Sequence, residues 1–126
     1  MITFRKVKVC FLLIFVFVNI FYIAPCYSFS LREDLFEKAL DLSSNGEFDL
    51  ALQEWNRYLD SYPDDAAGLS NRGNVRLVIG DLEGSIDDQN KAISLNPNEI
   101  DPYINRGIAE EALGLWSQAK KDYIFV

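Results

Sequence analysis

The sequence predicts an all-α fold, an array of three antiparallel helix pairs, and three observations carry that prediction. Residue classes recur at a spacing of 34 from about residue 32 to the end of the chain. A glycine falls at the same point of every period, at Gly46, Gly80 and Gly114, where helical stretches meet. Pro63 and Pro97 stand at a second fixed point, where a helix has to stop.

The repeat is dense enough to place each element. Asn71-Arg72-Gly73 returns as Asn105-Arg106-Gly107. Large apolar residues align at Phe48, Leu82 and Trp116, and again at Leu35, Leu69 and Tyr103. Small residues align at Ala39, Gly73 and Gly107, and at Ala51, Ser85 and Ala119; they let paired helices approach closely while the large ones fill the space between. First helices of the pairs are therefore expected at about 32–45, 66–79 and 100–113, and second helices at 48–61, 82–95 and 116–126. The three glycines are expected to take the left-handed conformation that ends a helix cheaply. Glu47 and Asp81 sit near the starts that follow, where negative charge suits the helix dipole, and Asp81 is placed to cap. Pro102 falls in the first turn of a helix, where a missing N–H costs little.

These residues carry a family resemblance. The period and its small–Gly–aromatic–Ala–Pro pattern resemble the tetratricopeptide repeat. The middle unit is the nearest to it, through Asn71, Gly73, Asn74, Gly80, Asp81, Leu82, Lys91-Ala92-Ile93, Leu95 and Asn96-Pro97-Asn98. The resemblance covers residues 32–126 and implies a right-handed α-α superhelix of three helix pairs, with units 32–65, 66–99 and an incomplete 100–126. Tyr58 departs from it by standing where the family favours alanine, which suggests a splayed first pair. Gln89 departs by replacing the aromatic kept at Trp55 and Tyr123. The wording of the middle and third units, including Gly-Ile-Ala-Glu-Glu-Ala-Leu-Gly, is similar to membrane-targeted repeat proteins of bacteria, cyanobacteria and plastids.

The N-terminus reads differently. Arg5, Lys6 and Lys8 precede an apolar run, Val9 to Ala24, and no charge appears before Arg32. That pattern is a membrane-targeting leader over residues 1–28. It is compatible with a signal peptide cleaved after Ser28, with an uncleaved transmembrane anchor helix, or with acylation at Cys26. Each version leaves the basic end in the cytoplasm and carries the domain across, so a periplasm, an extracellular space or a thylakoid lumen is the expected setting. All 19 acids lie from Glu33 onward against 9 bases, a formal charge of about −10 for that region. Such a surface repels phosphate backbones, and nucleic acid is not an expected partner.

Chemistry is sparse. The chain has no histidine, which removes imidazole bases and ligands. Cys10 and Cys26 both belong to the leader region, and no glycine-rich phosphate loop is present. The acid pairs Asp87-Asp88 and Glu110-Glu111 splay about 100° apart on a helix and read as a solvated face, while Asp64-Asp65 precedes a helix and is expected to serve its start. No catalytic residue, cofactor or metal is expected.

A non-catalytic protein-interaction scaffold is the function expected, as an assembly factor for a membrane complex on the non-cytoplasmic side. The alternatives are an accessory domain of a larger envelope enzyme and an exported protein that self-associates through its uncapped C-terminal helix. The resemblance implies that the first helices line a groove for a protein or peptide partner. It places Phe36 and Leu40, then Ser70, Asn74 and Leu77, then Asp101, Ile104 and Ile108 on that groove, with Asn71 and Asn105 at its edge. It also implies that the cationic clamp of chaperone-tail binders is missing, because Phe36, Leu40, Asp101 and Asn105 occupy its positions and Asn71 alone fits. Arg72 and Arg106 recur on one face and are expected to pair with acids such as Asp88 and Asp122, the alternative being a row that reads acidic partners.

Overall fold

The structure, a computed structural model, describes residues 31–125. The leader expected over residues 1–28, anchor helix included, lies outside the described residues. Six helices follow one another through short turns. They are α1 (described over 31–44), α2 (Phe48–Ser61), α3 (Ala66–Ile79), α4 (Leu82–Leu95), α5 (Asp101–Ala112) and α6 (Trp116–Phe125). The expected elements are all present, with ends within a residue or two of the sequence reading. From Leu35 on, the described residues form one compact unit.

Within each pair the helix ends are set by the same local chemistry. Gly46, Gly80 and Gly114 have φ of 78°, 87° and 78°. That conformation lets the next N–H reach back over the helix end: Glu47 to the Leu42 carbonyl (2.9 Å), Asp81 to Arg76 (2.9 Å) and Leu115 to Glu110 (2.8 Å). Asp65 and Asp81 start α3 and α4 by accepting from the Gly68 and Gly84 amides at 2.8 and 3.1 Å. Helix α5 has no such side-chain cap and begins with Asp101 and Pro102 instead.

Consecutive helices pack against one another from α2 to α6, and α3 also lies beside α5, so the first helices of the last two pairs are neighbours. The small residues work as expected, but their partners sit one turn further along. A Cβ on Gly73 would fall 2.5 Å from Gln89 Nε2, and one on Gly107 would fall 2.6 Å from the Tyr123 ring. The glycines therefore receive the side chains at positions 89 and 123. Trp55, at the matching position of the first pair, is fully buried and donates to Ser43 Oγ at 2.9 Å.

Tyr58 does not leave the first pair empty or loosely filled. It is 1% exposed, and its ring lies edge-on to Phe36 and Trp55 at 5.4 and 5.8 Å. Gly68 makes room for it on α3, where a Cβ would come 2.8 Å from the ring. The Tyr58 hydroxyl donates to Asp65, the residue that caps α3. One bulky residue thus ties the first pair to the second.

A charged ladder repeats beside this core. Lys38 pairs with Glu54, Arg72 with Asp88 and Arg106 with Asp122, each across 16 residues. Arg72 and Arg106 use Nε and Nη2 on both carboxylate oxygens, the bidentate geometry that suits guanidinium. Each sends Nη1 to the preceding pair, to Asn56 at 3.0 Å and Asn90 at 2.7 Å. The pairing expected for both arginines is therefore present. The solvated face expected for the acid pairs needs correction, because Asp88 and Glu110 are only 4% and 6% exposed. Adjacent helical residues point in different directions, so one member of a doublet turns inward while its neighbour stays in water.

Candidate functional site

Helical spacing puts Leu40 on α1, Asn74 on α3, and Ile104 and Ile108 on α5 at the surface, where large apolar residues are costly to leave uncovered. Ser70, Asn74 and Leu77 share one face of α3, and Asp101, Ile104 and Ile108 share one face of α5, at intervals of three and four residues. Leu77 and Asn105 are half-buried. Phe36 is also half-buried, and its ring is committed to Trp55 at 5.0 Å and to Tyr58. Asn71 donates to the Ala67 carbonyl of its own helix at 2.9 Å. The Ser70 carbonyl accepts from Gln89 at 3.0 Å.

Between α3, α4 and α5 the structure opens a cavity of about 240 Å³. It brings together three of the expected residues, Ser70, Asn71 and Asp101, and does not include Asn74, Leu77, Ile104, Asn105 or Ile108. Its apolar wall is Ala66, Ala67, Ala92 and Pro102, and its polar wall is completed by Asn96 and Glu99. Those contributions were missed by sequence reasoning, although the repeat holds a signal for them. Counting back 34 residues from Ser70, Ala92 and Asn96 gives Phe36, Tyr58 and Tyr62. In the first seam these are three rings in contact, Phe36 with Tyr58 at 5.4 Å and Tyr58 with Tyr62 at 5.0 Å. In the second seam they are a hydroxyl, a methyl and an amide. The cavity lies where the repeat places these smaller side chains.

The electrostatics of the site are one-sided. No lining residue of this cavity is cationic, while Glu99 and Asp101 both stand exposed at its edge. A second hollow of about 340 Å³, between α2, α3 and α4, does contain Arg72, Arg76 and Lys91. Those cations are spent internally: both arginines hold Asp88, and Lys91 reaches Asp64 at 3.0 Å and the Pro63 carbonyl at 2.7 Å. A different imbalance lies in the third pair. Glu110 occupies the position that Arg76 has in the second, its Oε2 has no hydrogen-bond partner, and its pKa is raised by burial and then by the charge of Asp122.

No protein-family model matches this chain. Among curated proteins it is 34% identical over 85 residues to a FAM10 family protein of Arabidopsis thaliana, covering 68% of this chain and 19% of that one. It is 31% identical over 85 residues to the TPR repeat-containing thioredoxin TDX of the same organism, covering 68% of this chain and 22% of that protein. This chain therefore spans about a fifth of the length of these two relatives. Among solved structures, the first TPR of Spaghetti (RPAP3) bound to the HSP90 peptide SRMEEVD superimposes with a TM-score of 0.70. That match has 28% identity and covers 73% of each chain.

The comparisons correct the expected location. A domain exported or anchored on the far side of a membrane is contradicted by its relatives, among them the first TPR of Spaghetti (RPAP3), solved with an HSP90 peptide. Among the described residues no helix is long and apolar enough to cross a membrane. The physical reason for the miss is that an apolar run reports a transfer free energy and not a destination. The finer likeness to bacterial and plastid membrane-targeted proteins is not carried by these relatives either.

Proposed function

We infer that this chain, whose described residues belong to the tetratricopeptide-repeat family, is a non-catalytic protein-interaction module that holds an extended peptide segment of a partner protein. The proposed domain is 32–126, with units 32–65, 66–99 and 100–126. The observation that carries the reading is the exposure of Leu40, Asn74, Ile104 and Ile108 on the first helices, together with the open cavity lined by Ser70, Asn71 and Asp101. The apolar members supply burial, and the amides of Asn74 and Asn105 can serve both donors and acceptors of an extended backbone. The first TPR of Spaghetti (RPAP3), 28% identical, was solved bound to an HSP90 peptide, which supports a peptide partner here.

The test is a selection of random heptapeptides displayed on phage against the full chain, followed by fluorescence anisotropy of the enriched sequences. Ile104→Ser combined with Ile108→Ser removes exposed apolar area and should weaken binding by about tenfold or more. Trp116→Ser, on an exposed position of α6 outside the row, should leave it unchanged. No enrichment, or equal binding by the isoleucine variant, overturns the reading.

A further inference from the structure

We propose that the cavity between α3, α4 and α5 receives a positively charged side chain, lysine or arginine, from the bound peptide. The proposal rests on the peptide-holding reading and names the chemistry that reading leaves open.

Four observations converge on it. The hollow is built by substitution: the preceding seam carries Phe36, Tyr58 and Tyr62 where this one carries Ser70, Ala92 and Asn96. Its apolar wall, Ala66, Ala67, Ala92 and Pro102, suits the methylene stem of a long side chain. Glu99 and Asp101 supply negative charge at the edge, and no lining cation opposes it. Asn71 and Asn96 each spend an amide N–H inside the protein, on the Ala67 carbonyl and on Glu99 Oε1, which leaves their oxygens for a ligand that brings donors.

Two positive helix ends lie here: that of α3 is occupied by the Asp65 carboxylate, and that of α5, which has no side-chain cap, carries Asp101 in its first turn. The surplus of acids from Glu33 onward adds a long-range attraction for basic segments. The acidic peptide SRMEEVD held by the solved relative has the opposite complementarity. Two carboxylates facing its glutamates at ordinary separations would repel it.

The experiment uses the full chain and three acetylated, amidated heptapeptide mixtures, random over neutral residues except for a central lysine, glutamine or glutamate. Anisotropy at about 50 mM salt should rank lysine above glutamine above glutamate, with lysine ahead of glutamine by about tenfold, and the gap should narrow at about 300 mM. The double variant Glu99→Gln/Asp101→Asn keeps size and shape and should bring lysine and glutamine within about twofold, with unchanged helical circular dichroism. Ala92→Tyr, which gives this seam a ring like that of the first, should abolish the lysine preference. Equal binding of lysine and glutamine by the native chain, or a lysine preference that survives the double variant, overturns the cation assignment. If the mixtures bind equally and Ile104→Ser/Ile108→Ser weakens all of them, the peptide-holding reading stands and only the cation is lost. Failure of every mixture to bind overturns both.

Discussion

The two seams between successive helix pairs occupy equivalent places in the repeat, yet one is packed and the other is open. In the first, Tyr58 fills the space between α1, α2 and α3, with Gly68 shaped around it and Asp65 fastened to its hydroxyl. In the second, Ala92 meets Pro102 across a hollow of about 240 Å³. The repeat positions correspond, and the side chains that differ in volume there are Phe36, Tyr58 and Tyr62 against Ser70, Ala92 and Asn96. A repeat array can therefore keep one joint for stability and spend another on recognition. Aromatic filling stabilises a joint through buried area and ring contacts, whereas small residues forgo that burial and leave room for a ligand.

The largest expected effect comes from making the first seam like the second. Tyr58→Ala removes a ring that is 1% exposed and a hydrogen bond to Asp65. It should lower stability by about 3–5 kcal/mol in chemical denaturation, the cost of a large aromatic cavity. A loss below about 1 kcal/mol would show that the rings are not what holds the first joint.

The charged ladder offers the next contrast. Asp88 is held by both Arg72 and Arg76, while Asp122 relies on Arg106 among the ion pairs of the described residues. Arg106→Met should cost about 3 kcal/mol, because it strands a carboxylate that is 5% exposed. Arg72→Met should cost less, about 1–2 kcal/mol, since Arg76 remains on the same acid. Equal losses in thermal or urea unfolding would remove the distinction between the second and third pairs.

The smallest effect is the most diagnostic of that distinction. Glu110 has its pKa raised by burial first and by Asp122 second, with Arg106 and Lys121 pulling the other way. The folded state therefore binds this proton more tightly than the unfolded chain does. The associated stability is complete below the ordinary carboxylate pKa and is lost as pH rises through the folded value. Glu110→Gln should accordingly raise the unfolding midpoint at pH 7, and its advantage should shrink toward pH 4. An advantage that is independent of pH would mean that packing, and not ionisation, limits the third pair.

Much of this architecture was legible in the residues. Gly46, Gly80 and Gly114 announced three helix ends because a positive φ is cheap for glycine and costly for other residues. Asp81 announced a cap because a carboxylate at a helix start can accept from an amide of the first turn that has no carbonyl partner. Arg72 and Arg106 were legible as partners of Asp88 and Asp122 because the repeat moves both members together. The acid doublets were read too uniformly, since composition shows that Glu110 and Glu111 are charged but not which one turns inward.

The candidate site was less legible. Ser70, Asn71 and Asp101 were named in advance and lie on the cavity, but Ala92, Asn96 and Glu99 were not. An alanine attracts no functional reading by itself; it matters here because its counterpart in the previous unit is a tyrosine.

Period, helix ends and pairing followed from the sequence alone, because each depends on local backbone preference and on residue spacing along one chain. Which joint is filled and which is hollow was decided only in the tertiary structure. Volume complementarity is a property of three helices at once, and no single segment contains it.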